Sequence, residues 1–346
     1  MSRHLQGAFA LALLCTQHAC KSPAPAPAAD SAAIALSGDP LPSWRDGAAK
    51  TRIVEFVSRV TTEGGADFVP VAERIATFDN DGTLWTEKPA PFQLLFLIDR
   101  VKELAPSHAD WQARQPFKGI LTSDFKSVAA TGERGVAELL FATHTGQTTD
   151  AFATAVQNWI GAARHPRFDR PYTDLIYQPQ LELLRYLRSN GLKTYIVSGG
   201  TTDFMRPWVE RTYGIPPEQV VGTTFKVKYE VRDSVPVLVT EPAIDFIDDK
   251  GGKPVAIHKF IGRRPIVAVG NSDGDYQMLE YTTAGPGPRL GIYIHHDDAE
   301  REYAYDRGDK LARLERGLDD AATRGWLLVS MKGDWKAIYP EVRSKK

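Results

Sequence analysis

The sequence lacks several features that would place the protein in a narrow class. It has 346 residues but only two cysteines, Cys15 and Cys20, and both lie near the N-terminus. The rest of the chain therefore has no disulfide framework, and export has to be inferred from other features. The formal net charge is −1, with 42 basic and 43 acidic residues and no run of Lys or Arg interleaved with aromatics. This balance argues against nucleic acid as a partner.

The N-terminal hydrophobic run, Ala8 to Leu14, is too short to cross a bilayer as a helix. It follows a basic start and precedes small residues, an order typical of a secretory signal. We therefore predict a signal peptide over residues 1–20 and an exported, periplasmic protein. Cys20 is a candidate for the lipid-bearing first residue of a lipoprotein, which would anchor the chain to the membrane. Gln17 and His18 fit that cleavage pattern poorly, so plain secretion is the alternative.

The composition changes twice after the signal. Residues 21–42 are rich in Pro, Ala and Ser, cannot bury enough apolar area to order themselves, and are predicted to form a semi-rigid linker. About 300 residues remain, enough for one large domain or for a core with an inserted domain. We predict a core formed by residues 43–86 and 175–346, with residues 87–174 inserted into it.

Short apolar runs alternate with stretches of helical periodicity over most of this region. The predicted strands are Ile75–Phe78, Lys193–Val197, Pro265–Val269 and Leu290–Ile294, with a hairpin of Phe225–Val231 and Val235–Thr240. Helical spacing begins near Lys50, Phe92, Val136, Asp150, Leu181, Phe204, Val255 and Leu311. Strands that alternate with helices indicate an α/β fold with a doubly wound parallel sheet. Only helices are predicted in the insert.

Two aspartates directly follow the first buried strand, in the order Asp79-Asn80-Asp81-Gly82. Ligands of open α/β sheets bind at the carboxyl ends of the strands, so these side chains are candidates for chemistry. Asp79 can attack as a nucleophile or bind a metal, and Asp81 can move a proton. The alternative is a solvated hairpin turn, in which Asp, Asn and Gly are common.

Polar residues also follow later strands. Ser198 and Gly199 follow the second strand and precede a helix, an arrangement that favours anion binding. Lys253 begins another helix and can place a positive charge against the same anion. Asn271 and Asp275 follow a further strand and offer oxygen ligands that, with the first aspartate, suit Mg²⁺. Together these groups indicate phosphoryl transfer through an aspartyl-phosphate.

From about Ile75 to Met278 the chain resembles the haloacid dehalogenase (HAD) superfamily of phosphohydrolases, with four motifs in the family's order. The most specific part of the resemblance is Asp79 to Leu84. The resemblance implies that Asp79 is the nucleophile and a metal ligand. It implies that Asp81 is a general acid and then a general base, with its backbone carbonyl on the metal.

The resemblance also implies roles for the later motifs. Thr83, Ser198 and Gly199 would hold phosphate oxygens, and Lys253 would neutralise the phosphoryl group. Asp275 would complete the acidic pocket. The insert resembles a C1-type cap that closes over the site, and the hairpin resembles that of phosphoserine phosphatase-like members. The implied activity is Mg²⁺-dependent hydrolysis of a small phosphomonoester metabolite.

The sequence departs from the family pattern at two points. Asn271 stands where the family usually has an aspartate, so the predicted metal site (Asp79, Asp81, Asn271 and Asp275) has one charge less. Weaker metal affinity, or transfer of the ligand role to Asp273 or Asp275, is the hypothesis that follows. The lysine motif is also ambiguous, because Lys250 and Lys253 both flank a glycine pair. We favour Lys253 because it begins a helix.

Three further side chains are candidate substrate contacts: Glu87, Arg206 and His295. Each is explained equally well as a solvated surface group. Three alternative functions also remain. A dehalogenase of the same fold would not need Asp81 to protonate an oxygen leaving group, whereas a phosphotransferase or phosphomutase would share every residue named. A non-catalytic exported binding lipoprotein is disfavoured because all four motif positions are filled.

Overall fold

A largely parallel, eight-stranded β-sheet lies at the centre of this computed structural model, which describes residues 38–341. The predicted signal peptide, Cys20 and most of the predicted linker lie outside the described residues. The strands are β1 Ile75–Phe78, β2 Lys193–Thr201, β3 Val220–Arg232, β4 Val235–Phe246, β5 Val267–Gly270, β6 Leu290–Asp297, β7 Ala304–Tyr305 and β8 Leu327–Ser330.

The strands are arranged in the order β4-β3-β2-β1-β5-β6-β7, and β8 pairs with β6. Pairing is parallel from β3 through β2, β1, β5 and β6 to β8, whereas β4 and β7 run antiparallel to their neighbours. All residues of β1 and β5 are buried, which agrees with their uninterrupted apolar sequences. The predicted α/β fold with a doubly wound parallel sheet is confirmed.

Helices pack around the sheet and fill the insert between β1 and β2. They are α1 Ala48–Thr61, α2 Phe92–Leu104, α3 Phe117–Leu121, α4 Phe125–Ala130, α5 Gly132–His144, α6 Thr149–Ala162, α7 Gln178–Ser189, α8 Thr202–Tyr213, α9 Gly252–Ala256, α10 Tyr276–Thr283, α11 Arg316–Asp320 and α12 Met331–Asp334. A π-helical turn, Ile257–Ile261, continues α9. Between residues 38 and 341, no helix is both long and apolar enough to cross a membrane.

The helical insert packs directly against the sheet domain. Trp85, which lies just before the insert, stacks on Trp208 of α8 with ring centroids 4.3 Å apart. Phe96 of α2 contacts Phe204 of α8, with centroids 5.4 Å apart, and both belong to one hydrophobic cluster that extends through the insert and the core. The insert is therefore held by apolar packing as well as by its two chain connections.

One predicted helix is wrong. The leucines at 311, 314 and 318 do not share a helix, because only the short α11 forms in this segment. The carboxylate of Asp309 accepts hydrogen bonds from the N–H groups of Leu311 and Ala312. The carboxylate of Asp273 accepts hydrogen bonds from three consecutive N–H groups at the beginning of α11. These side chains compete with helical hydrogen bonding and hold the preceding residues in a loop.

Candidate active site

The carboxyl ends of β1, β2 and β5 border a cleft of about 350 Å³. Asp79 and Asp81 follow β1, and Ser198 and Gly199 lie near the end of β2. Lys253 comes from α9 and Asp275 follows β5. The polar residues expected to meet at the strand ends therefore line one cleft, as parallel topology requires.

A buried lysine connects two of the aspartates in this cleft. The Nζ atom of Lys253 lies 2.7 Å from Oδ1 of Asp79 and 2.5 Å from Oδ1 of Asp275. Lys250, the alternative lysine, has a side chain that is 70% exposed, and its Nζ lies 3.9 Å from Oδ2 of Asp249. The structure thus places Lys253 in the cleft and Lys250 outside it.

Burial and the neighbouring charges set the protonation of this pair. Burial, reinforced by the Asp275 carboxylate, raises the pKa of Asp79 well above its ordinary value, while Lys253 opposes the shift. Burial alone would lower the pKa of Lys253, but the carboxylates of Asp275 and Asp79 outweigh it and the pKa is raised. Lys253 is therefore held as a cation beside Asp79, where it can offset the negative charge of a phosphoryl group.

Asp81 has the properties of a proton donor. The indole Nε1 of Trp85 donates a hydrogen bond of 2.7 Å to Oδ1 of Asp81. Burial raises the pKa of Asp81 to about 6, although Trp85 and Lys253 both oppose the shift. A carboxyl group with this pKa holds a proton in mildly acidic solution and can release it near neutrality, which suits general acid and base catalysis.

Gly82 lets the chain turn sharply after Asp81. Its φ is +72°, and a Cβ atom there would lie 2.1 Å from Nδ2 of Asn271 and 2.2 Å from Oε1 of Glu87. Both the left-handed backbone and the lack of space require glycine at this position. The turn allows the side chains of Asp81 and Glu87 to reach the same cleft.

Asn271 is held by two residues of the first motif region. Its Nδ2 atom donates to Oε1 of Glu87 at 2.7 Å, and its Oδ1 atom accepts from the hydroxyl of Thr83 at 2.9 Å. Thr83 is fully buried and does not line the cleft. The predicted contact of Thr83 with phosphate is therefore not supported, because its hydroxyl turns inward to Asn271.

Glu87 does line the cleft, as the sequence suggested. Burial raises its pKa to about 7, with His296 opposing the shift. The hydroxyl of Tyr305 donates to Oε1 of Glu87 at 2.8 Å, so both the tyrosine and the Asn271 amide bind the same oxygen.

The oxygen donors in the cleft fit a hard cation in type. Mg²⁺ is usually held by one or two carboxylates together with waters and substrate oxygens. Asp79 and Asp81 line the cleft and would offer a carboxylate and a backbone carbonyl, whereas Asn271 does not line it and its amide oxygen would have to turn from Thr83 to bind the ion. Between residues 38 and 341 there is no cluster of three or more His, Cys, Asp or Glu side chains suited to a metal.

Asp275 and Asp273, the other proposed ligands, are already engaged. Oδ2 of Asp275 accepts the N–H groups of Asn271 and Ser272 at 2.9 and 3.0 Å, while Oδ1 binds Lys253. Asp273 binds the N–H groups at the beginning of α11. These contacts favour a structural role for Asp273 and a lysine-positioning role for Asp275, rather than metal ligation.

The predicted phosphate-binding segment differs from expectation in its backbone. β2 continues through Ser198 to Thr201, and α8 begins only at Thr202. Pairing with β3 is in register at Ser198 and resumes at Thr201 with a shift. The two glycines between them form an irregularity that lines the cleft. The hydroxyl of Ser198 accepts a hydrogen bond of 3.2 Å from the N–H of Gly200, which tightens this bend.

Two predicted substrate contacts lie outside the cleft. The guanidinium of Arg206 donates to the carbonyls of Pro217 and Val220 at 3.0 and 3.5 Å. Nε2 of His295 lies 3.4 Å from Oδ2 of Asp306. Neither residue lines the cleft, so the structure does not support either one as a substrate contact.

The next residue, His296, follows the candidate His295 at the end of the same strand and supports the site directly, although not as a substrate contact. Its Nε2 atom lies 2.7 Å from the carbonyl oxygen of Gly82, and its Nδ1 atom lies 3.2 Å from Oε2 of Glu302. A carbonyl only accepts hydrogen bonds, so Nε2 is the donor to Gly82, while Nδ1 faces the Glu302 carboxylate. Burial alternates only at the end of β6, where Ile294 and His296 are buried and His295 is partly exposed, so the period-two spacing from the apolar Ile294 is the signal that pointed to His296.

Glu302, the partner of His296, is completely buried. It also accepts hydrogen bonds from the hydroxyl of Tyr177 at 3.1 Å, from the N–H of Tyr303 at 2.6 Å and from the hydroxyl of Thr86. Burial alone would raise its pKa, but these donors and His296 lower it. Glu302 lies in a loop with no motif, so no sequence signal could have found it.

Gln93 is a second residue that sequence reasoning missed. It comes from α2 of the insert, lines the cleft, and accepts a hydrogen bond of 2.9 Å from the N–H of Thr201. Its Nε2 atom donates to the hydroxyl of Thr201 at 2.6 Å and lies 3.2 Å from Nε2 of His144. Burial lowers the pKa of His144 to about 3, so this network is neutral. It joins the insert to the end of β2.

A search of curated proteins gave no significant match. Among solved structures, a functionally unknown protein from Anaerococcus prevotii matches with 16% identity and a TM-score of 0.48, covering 86% of this chain and 96% of that one. A protein of unknown function from Bordetella pertussis matches with 16% identity and a TM-score of 0.46, covering 74% and 98%.

A phosphoserine phosphohydrolase-like protein from Francisella tularensis matches with 18% identity and a TM-score of 0.37, covering 72% of this chain and 98% of that one. Similarities at this level say nothing about substrate. The family model for haloacid dehalogenase-like hydrolases, in contrast, matches residues 76–280. That match spans more than half of the chain and includes the cleft residues from Asp79 to Asp275. The chain therefore belongs to the haloacid dehalogenase-like hydrolases.

Proposed function

We propose that the protein is a Mg²⁺-dependent phosphomonoesterase that hydrolyses a small phosphorylated metabolite through an aspartyl-phosphate. The observation that supports this most is the buried lysine bridge in the cleft. Lys253 holds its ammonium 2.7 Å from Asp79, the carboxylate best placed at the end of β1 to act as a nucleophile. A carboxylate, a fixed cation and a separate carboxyl group of raised pKa are the parts that phosphoryl transfer to an aspartate needs.

In the first step, a carboxylate oxygen of Asp79 attacks the phosphorus and the bond from phosphorus to the ester oxygen breaks. Asp81 gives its proton to the departing oxygen, so that an alcohol leaves. Lys253 offsets the charge on the phosphoryl oxygens, and the Ser198 and Gly199 segment orients them. Bound Mg²⁺ would add positive charge that shields the phosphate from the nearby carboxylates.

In the second step, the Asp81 carboxylate takes a proton from water, and the water oxygen attacks the phosphorus. The acyl-phosphate bond breaks, which regenerates the Asp79 carboxylate and releases inorganic phosphate. A dehalogenase would not need Asp81 to protonate the leaving group in the first step, because a halide leaves without a proton, so the raised pKa of Asp81 favours a phosphatase. A phosphotransferase would differ only in using an acceptor alcohol in place of water.

The direct test is hydrolysis of p-nitrophenyl phosphate by the purified chain with Mg²⁺ and with EDTA. We expect metal-dependent turnover in the wild type and in Asp169→Asn, a matched control that removes an exposed carboxylate. We expect none in Asp79→Asn. Release of p-nitrophenol without phosphate, but with phosphorylated glycerol when glycerol is added, would instead identify a phosphotransferase.

We also propose, on the sequence pattern alone, that the protein is exported and acts in the periplasm. Fractionation of cells that express the full chain would test this, with Cys20→Ala as the matched variant. A lipid anchor predicts membrane association that Cys20→Ala abolishes, and plain secretion predicts no difference. Recovery of both forms in the cytoplasm would contradict export.

A further inference from the structure

We propose that the substrate is a phosphomonoester of a largely apolar alcohol that carries no second anionic group. This inference rests on the proposed phosphatase function and adds the substrate class to it. Three properties of the cleft support it: the distribution of charge, the apolar wall beyond the catalytic groups, and the hydrogen-bond state of the polar side chains in that wall.

Positive charge in the cleft is confined to one residue. Of the described residues that line it, only Lys253 is cationic, whereas Glu87, Asp81 and Asp249 add acidic groups to the aspartates bound by that lysine. Lys253 would be occupied by the phosphoryl group itself. A carboxylate or second phosphate on the alcohol would lose water and meet carboxylates without a counter-charge, which is strongly unfavourable.

The wall of the cleft away from Lys253 is apolar. It is formed by Leu94 and Leu97 of α2, Val136 and Leu140 of α5, and Leu311 of the loop that precedes α11. Val136 is 46% exposed and Leu311 is 66% exposed, so both present large apolar side chains to solvent at a functional cleft. An apolar leaving group would remove this surface from water.

The polar side chains beside this wall are already paired within the protein. Both ends of the Gln93 side-chain amide are engaged: its oxygen accepts from the N–H of Thr201, and its nitrogen donates to the hydroxyl of Thr201 and lies against His144. The hydroxyl of Thr223 donates to the carbonyl of Gly199 at 2.9 Å and accepts from the N–H of Asp248 at 3.2 Å. Gln93 and Thr223 therefore have no free hydrogen-bonding group for the hydroxyls of a sugar, which would lose water beside the apolar wall, and that loss disfavours sugar phosphates.

The experiment compares 2-phenylethyl phosphate with its 4-carboxy derivative, two primary alkyl esters whose alkoxide leaving groups have nearly the same basicity. The full chain with Mg²⁺ should hydrolyse the carboxylated ester with a kcat/KM lower by about tenfold or more. Glucose 6-phosphate should be disfavoured to a similar extent. Because the two phenylethyl esters differ only far from phosphorus, the ratio of their kcat/KM values reports on the wall rather than on the chemistry.

Substitutions at the wall sharpen the test. Val136→Lys adds a cation at an exposed position of the cleft, and Val71→Lys adds the same charge at a position that is 57% exposed and outside it. Val136→Lys should raise the relative kcat/KM for the carboxylated ester severalfold, whereas Val71→Lys should leave the ratio unchanged. Leu311→Lys provides a second variant of the wall if Val136→Lys lowers the melting temperature.

The outcomes separate the two levels of the proposal. If the wild type hydrolyses no phosphomonoester, the proposed function fails and the substrate class falls with it. If it hydrolyses the carboxylated ester or glucose 6-phosphate as efficiently as 2-phenylethyl phosphate, the phosphatase function stands and the substrate class is overturned. A tenfold preference that Val136→Lys or Leu311→Lys reduces, and Val71→Lys does not, supports the inference.

Discussion

The floor and the wall of the cleft are built differently. The floor, formed by Asp79, Asp81, Lys253 and Asp275, is buried and charged, and its side chains contact one another or fixed donors. The wall, formed by Leu94, Leu97, Val136, Leu140 and Leu311, is apolar and partly open to solvent. We infer that the floor determines the reaction and the wall selects the alcohol, so changes to the two should have different consequences.

The largest effect is expected from removing the cation of the floor. Lys253→Ala leaves Asp79 and Asp275 buried without their counter-ion, and breaking a buried pair in this way typically costs about 3–5 kcal/mol of unfolding free energy. Urea denaturation would measure the loss. Lys250→Ala is the matched control, because this exposed lysine should change stability by no more than about 0.5 kcal/mol. Equal stability of the two variants would contradict the role of the bridge.

A smaller effect is expected from changing Glu302, which with His296 supports the turn at Gly82 next to the floor residues. Glu302→Gln keeps the shape of the side chain but removes the carboxylate charge that faces His296 and accepts from Tyr177, and it should cost about 1.5–3 kcal/mol of unfolding free energy. The Gly82 carbonyl would then be held less firmly, so kcat should fall while KM for p-nitrophenyl phosphate changes little. The measurements are urea denaturation and steady-state kinetics. Wild-type stability together with wild-type kcat would refute this support role.

The pH dependence tests the proton donor of the floor. Asp81 must carry a proton to release an alcohol, and burial raises its pKa only to about 6. The protonated fraction is complete well below that pH and falls about tenfold per pH unit above it. For 2-phenylethyl phosphate, kcat/KM should therefore decline as the pH rises through about 6. The decline should be weaker for p-nitrophenyl phosphate, whose leaving group needs no proton. Identical profiles would argue against Asp81 as the acid.

The smallest effect is expected at the wall. Leu311→Ser changes a side chain that is 66% exposed, so unfolding free energy should change by no more than about 0.5 kcal/mol. Its apolar contact with the substrate would be lost, and KM for 2-phenylethyl phosphate should rise severalfold. KM for methyl phosphate, which cannot reach the wall, should not change. A parallel rise for both esters would show that the loop affects the floor instead.

The same contrast explains what could be predicted from sequence. The residues of the floor could be predicted because Asp79, Asp81, Lys253 and Asp275 follow strand ends or begin a helix. Parallel topology brings such positions together. Asn271 and Thr83 were identified as part of the site, but their contact with each other depends on the turn at Gly82. A sequence motif does not determine the direction in which side chains point after a turn.

The wall and the support of the turn at Gly82 depend on tertiary packing. Leu311 showed helical spacing with Leu314 and Leu318, yet the carboxylates of Asp309 and Asp273 bind the backbone there and prevent one continuous helix. The side chain of Leu311 is left exposed at the cleft as a result. Glu302 and Gln93 carry no motif, and their roles follow only from the elements they contact. Such long-range contacts override local preference and are invisible in a single sequence.

The most direct test of the account is chemical identification of the phosphorylated residue. The full chain, mixed with p-nitrophenyl phosphate and Mg²⁺ and quenched rapidly in acid, would be reduced with borohydride, which converts an acyl phosphate to an alcohol. Peptide mass spectrometry should find the reduced side chain at Asp79 and nowhere else. Reduction at another residue, or continued turnover by Asp79→Asn, would contradict the proposed mechanism.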